Sequence, residues 1–220
     1  VNLTDVAQVS FVNNWFARTN AGTNASTIRS TLSSWTDNYF DHVASGTGPT
    51  LSSPNATTVA RNVFTAGTEG LPNVAGNVSL QSNLFLNQTI DAVSMGVSSI
   101  ITADGNKMDT TGTGYQNSGG ALRISTDDIS NMTSNGIVVI EGTVGPTASC
   151  FLSGGVTGSG NATALFLRKG VKCQVAAAAT ITGTSEIKID STVYTFAQLR
   201  APASGTRAIS NLMHGTAVFE

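Results

Sequence analysis

Hydrophobic spacing divides this sequence into a helical start and a strand-rich remainder. Residues 4–18 read as a helix: Thr4 is a good N-cap, Asp5 suits the helix dipole, and Val6, Val9, Val12 and Phe16 make an apolar stripe with Trp15 beside it. Residues 26–42 read as a second helix, because Ile28, Leu32, Trp35, Tyr39 and Val43 recur on one helical face. The stretch 44–54 has the Gly, Ser and Pro of a linker, and Asn55 could cap a short helix through Ala66. From residue 77 the period changes to two. Val78, Leu80, Ser82, Leu84 and Leu86 alternate with polar residues as in a half-buried strand. Val93–Ile101 continues as a strand, and Asp104–Gly120 reads as a long Gly-rich loop that a partner would order.

Ala121–Ser125 reads as a strand, and Thr126-Asp127-Asp128 as the cap and first turn of a short helix to Met132. The longest strand-like tract follows, from Gly136 to Phe196. It predicts strands near 136–144, 148–152, 162–168, 171–179, 184–189 and 192–196, separated by Gly turns. A last short helix, capped by Thr206, precedes a strand at Thr216–Phe219. The fold class expected is mainly β, an antiparallel sandwich or barrel of short strands, with an N-terminal helical pair. The division is a helical segment at 1–50 and a β-rich domain at 51–220.

Composition adds the first functional constraint. Only 11% of the 220 residues are charged, well below the usual quarter, while Ser and Thr number 54 and Asn 18. A neutral polar surface suits extracellular proteins and self-assembling shells, in which like-charge repulsion between subunits would be costly. A net charge of −2 with scattered cations gives no electrostatic ground for a nucleic-acid partner. No apolar run approaches the roughly 18 residues that cross a membrane as a helix, and Val1 is not followed by a charged-then-apolar leader.

Candidate chemistry is sparse. The two histidines, His42 and His214, each sit at an expected helix end. Asp104, Asn106 and Asp109 resemble part of a calcium loop, but Lys107 intrudes and the distal Glu is missing. No catalytic, cofactor-binding or metal-binding set emerges. Cys150 and Cys173, 23 positions apart, form either a disulfide or two buried thiols. Seven Asn-x-Ser/Thr triplets occur, at Asn2, Asn24, Asn55, Asn77, Asn87, Asn131 and Asn161, which the Asn- and Ser/Thr-rich composition largely explains.

With its low charge, its abundance of Asn, Thr, Ser and Gly, and its many short strands, the chain resembles the structural proteins of tailed-phage virions, of decoration, collar, tail or fibre type. That resemblance implies a non-enzymatic subunit of a virion or extracellular particle. Its partners would be copies of itself and other structural proteins, not nucleic acid or membrane. Trp15, Trp35 and Tyr39 are the candidate interface anchors. The candidate partner-ordered loop holds Asp104, Asn106, Asp109, Tyr115 and Asn117. The competing expectation is a secreted carbohydrate-binding or adhesive β-sandwich module using Tyr115 and Asn117.

Overall fold

A computed structural model describes residues 2–17, 27–41, 48–109, 111–140, 148–168, 171–176, 178–190, 198–201, 209–211 and 216–219. Among them every regular element is a strand, and every strand pairing is parallel. A parallel neighbour cannot be reached by a tight hairpin, so a crossover must intervene. Here the crossover consists of further strands, and the chain winds as a parallel β-solenoid.

Three ladders form its sides. The first stacks Asn2–Val12, Thr27–Thr36, Thr50–Ala60, the second half of Glu69–Gln81, Ile100–Asp104, Ala121–Ile124, Ser149–Leu152, Lys172–Val175, Gln198–Ala201 and Thr216–Phe219. The second is narrow. It stacks Trp15–Ala17, Tyr39–Asp41, Val63–Thr65, Leu84–Leu86, Lys107–Asp109, Asp128–Ser130 and the start of Thr157–Arg168. The third stacks the first half of Glu69–Gln81, Asp91–Met95, Thr113–Ser118, Asn135–Ile140, the ends of Thr157–Arg168 and Thr180–Asp190, and Ile209–Asn211.

This architecture overturns the expected antiparallel sandwich with its N-terminal helical pair. Of the two expected helices, 4–18 and 26–42, the described residues 4–17 hold the strands Asn2–Val12 and Trp15–Ala17, and 27–41 the strands Thr27–Thr36 and Tyr39–Asp41. Val9 is buried and Phe11 packs on the core, whereas Gln8, Ser10 and Val12 are exposed, which is the alternation of a strand. Thr27, Ile28, Thr31 and Thr36 are β-branched and favour extended backbone. The helix-like spacing of Trp35 and Tyr39 arises because a corner at Asp37-Asn38 separates them onto two different sides. The ladder also includes residue 50, pairing Thr27 with Thr50 and Trp35 with Val59, with one register shift between Arg29 and Leu32.

Other expected elements change in the same way. Asn55–Ala66, expected as a helix, lies in the strands Thr50–Ala60 and Val63–Thr65. The single strand expected over 77–86 turns a corner at Ser82-Asn83, so Val78 and Leu80 face inward, then Phe85, with Leu84 and Leu86 only half-buried. Val93–Ile101 is split by a turn between Asp91–Met95 and Ile100–Asp104. The expected helix after Thr126 is the strand Asp128–Ser130, and Ile209–Asn211 is a strand where a last helix was expected.

The first corner carries the fold's organising device. Asn14, Asn38, Asn62, Asn83, Asn106 and Asp127 stack at successive turns, with separations of 24, 24, 21, 23 and 21 residues. In the ladder each Asn side chain receives the backbone N–H and the amide N–H of the Asn one turn earlier, as in Asn38 N and Nδ2 to Asn62 Oδ1, both 2.9 Å. Its own Nδ2 donates to a main-chain carbonyl of the preceding turn: Phe11, Trp35, Val59 and Leu80 in order. The buried corner amides are thereby satisfied without water. The residue before each Asn has a left-handed backbone, with φ of 55° at Asn13, 58° at Asp37, 53° at Arg61, 52° at Ser82 and 68° at Gly105.

Inside, identical positions stack. Phe16, Phe40, Phe64 and Phe85 lie ring on ring with centroids 4.7, 4.8 and 4.8 Å apart, matching the spacing of neighbouring strands. Met108 and Ile129 continue that column. Cys150 and Cys173 are register partners on adjacent turns and form a disulfide, their Cα atoms 4.5 Å apart. Because the bridge closes a one-turn loop, the Cys150→Ser/Cys173→Ser variant is expected to lose about 3 kcal/mol of unfolding free energy. Urea denaturation of oxidised wild type and variant measures it, and equal midpoints would contradict it.

Candidate assembly surface

The narrow second side has only three residues per turn, so its geometry is simple. The middle residue faces in (Phe40, Phe64, Phe85, Met108, Ile129), and the two flanking residues face out. The leading outward column reads Trp15, Tyr39, Val63, Leu84, Lys107 and Asp128. Its first four positions carry no charge. Trp15 is 73% exposed and Tyr39 41% exposed, and their rings meet edge to face with centroids 6.3 Å apart. Val63, Leu84 and the adjacent Leu86 are half-buried. Parallel stacking thus turns scattered apolar residues into a continuous strip on the outside of a sheet.

The three expected anchors therefore separate. Trp15 and Tyr39 lie together on the surface, while Trp35 is 1% exposed and packs between Phe11, Phe16 and Phe40 in the core. The expected partner-ordered loop is not a loop. Its residues lie in or beside the strands Ile100–Asp104, Lys107–Asp109 and Thr113–Ser118. Asn106 is a ladder rung. Asn117 is buried at another corner, where Oδ1 accepts from Gly120 N and Nδ2 donates to Gly120 O and Ser149 O. Asp104 accepts the Thr126 hydroxyl, and Asp109 accepts from Asn131 Nδ2. Tyr115 is fully buried, and its hydroxyl donates to Asp127 Oδ2 at 2.5 Å.

Asp127 ends the amide ladder with a carboxyl. It is fully buried and accepts from Asn106 N, Asn106 Nδ2 and Tyr115. Burial outweighs those donors and raises its pKa to about 6, while burial and the neighbouring Asp127 push the Tyr115 hydroxyl well above its ordinary value. Its neighbour Asp128 faces outward instead. A second acidic pair escaped the sequence reading. Glu69 and Asp91 are register partners on the third side, and burial together with the Glu69 charge raises the Asp91 pKa to about 6. The signal was present only as a 22-residue offset between two strands, which requires the solenoid register to interpret.

Among the described residues, no group of three or more His, Cys, Asp or Glu could hold a metal ion. His42 and His214 lie outside the described residues. Of the Asn-x-Ser/Thr triplets, Asn161 is 1% exposed and donates from Nδ2 to Ile129 O and Thr182 O, so it is closed to a glycan.

The fold and this strip together define a parallel β-solenoid with an unpartnered apolar column on its narrow side. No protein-family profile, curated protein or solved structure matches the chain.

Proposed function

We propose that the chain is a non-enzymatic structural subunit of a virion or extracellular particle, and that it joins copies of itself through the narrow side. The observation that carries this reading is the Trp15–Tyr39–Val63–Leu84 column. Soluble surfaces do expose single apolar residues, but a contiguous exposed strip rimmed by polar residues marks an interaction site. The Trp and Tyr at its exposed end are residue types that dominate interface energies. The low charge of the whole chain supports the same reading, since neutral sides can approach one another without repulsion.

The Trp15→Ser/Tyr39→Ser variant tests this reading. Both side chains project from the sheet into solvent, so the solenoid should fold with an unchanged thermal midpoint. Light scattering is expected to find an oligomer for the wild type and a 22.5-kDa monomer for the variant. A variant that keeps the wild-type mass would remove the narrow side from the assembly.

A further inference from the structure

The outward column of the first side changes character part-way along the solenoid. Over five successive turns it holds only short hydroxyl residues: Ser10, Ser34, Thr58, Ser79 and Thr102. The next three positions are Arg123, Phe151 and Gln174. The break coincides with a depression of about 470 Å³, open to solvent and lined by Ala121, Leu122, Arg123, Ser149, Cys150 and Phe151. Phe151 is 40% exposed, and Arg123 and Gln174 on either side of it are exposed too. Lys172, exposed, is the register partner of Ser149. Among the described residues the only ion pair is Arg61–Asp37, so neither Arg123 nor Lys172 has an acidic partner among them.

An aromatic ring bracketed by an unpaired guanidinium and a free amide recognises a particular chemistry. The guanidinium fork matches a carboxylate bidentately. The ring offers an apolar platform, and the amide and a hydroxyl pair with neutral polar groups. Strands about 4.8 Å apart place the three side chains across roughly 10 Å of sheet. That is too small for a protein interface of ordinary size, and it lacks the basic field that a polyphosphate backbone requires.

We propose that this depression binds a carboxylated saccharide. Arg123 takes the uronate carboxylate, Phe151 carries the apolar face of the sugar ring, and Gln174 and Ser149 take ring hydroxyls. The site lies on a different side from the Trp15–Tyr39 column, so it stands independently of self-association.

The test is calorimetric titration of the full chain with an oligogalacturonate, a neutral galacto-oligosaccharide of the same length, and inorganic sulfate. Binding of the uronate alone is expected, weakening with salt. Arg123→Gln and Phe151→Ser, both at exposed positions, are each expected to weaken it about tenfold or more without moving the unfolding midpoint. Equal binding of the neutral sugar, or of sulfate, would overturn carboxylated-sugar recognition. Uronate binding that both variants leave intact would overturn the site, and the absence of any binding would overturn the proposal outright.

Discussion

Replacing Asn62 by alanine is expected to lower the unfolding free energy by about 3–4 kcal/mol, the largest effect of any single ladder substitution. Asn62 Oδ1 is the acceptor for both Asn38 N and Asn38 Nδ2 at 2.9 Å. Asn62 Nδ2 donates to Trp35 O, Ala60 O and Asn83 Oδ1 at 2.8, 3.0 and 3.0 Å. All of these bonds are buried, so truncation strands two donors and weakens three acceptors where water cannot replace the lost partner. A single net hydrogen bond is worth about 1 kcal/mol, whereas an unsatisfied buried group costs about 1–3 kcal/mol. Asn14, exposed at the first rung of the ladder, supplies the control: Asn14→Ala should cost under about 1 kcal/mol. Urea denaturation of both variants measures the contrast. Equal small losses would mean that the amides decorate the corner without holding it.

The second large effect is electrostatic and appears only as pH changes. Asp127 titrates at about 6 in the folded chain against an ordinary value of 3.8. Between those values the folded state holds a proton that the unfolded chain has released. The contribution of this carboxyl is therefore fully present below about pH 4 and is lost as pH rises through about 6, a change of about 2–3 kcal/mol. Asp91, raised to about 6 by burial and by Glu69, adds a slope of the same sign.

Asp127→Asn removes the share of Asp127. By the ladder's own pattern the new amide nitrogen would reach Ala103 O, the register partner of Leu80, whose carbonyl accepts from Asn106. The variant should match wild type near pH 4 and exceed it by about 2 kcal/mol at pH 7.5. Denaturation curves across that range decide the matter. A variant less stable than wild type at pH 7.5 would mean that Asn106 and Tyr115 hold a stabilised carboxylate.

Asp127 also shows why local pattern and structure differ along parts of the chain. In the first turn of an expected helix it is one of two adjacent acids. In the solenoid the corner sends Asp127 inward and Asp128 outward. Corners of this kind reset the inside–outside phase, so strands separated by one corner mimic helical spacing, as Trp35 and Tyr39 do. Local period therefore misled over residues 4–42, although strands were expected at 121–125, 148–152 and 162–168, close to where Ala121–Ile124, Ser149–Leu152 and Thr157–Arg168 lie.

The informative period is one full turn. Asn14-Trp15-Phe16, Asn38-Tyr39-Phe40, Asn62-Val63-Phe64 and Asn83-Leu84-Phe85 repeat it openly in the sequence. That repeat contains both the ladder and the exposed strip. The Arg123–Phe151–Gln174 column carries no such signal, because longer segments between turns spread its members unevenly. Only the register brings them together.

The mass of the unmodified protein in solution bears most directly on the claim that its narrow side meets another copy. Sedimentation equilibrium from about 1 to 100 µM should give a defined multiple of 22.5 kDa, dissociating at most at the dilute end. A mass of 22.5 kDa throughout that range would contradict it.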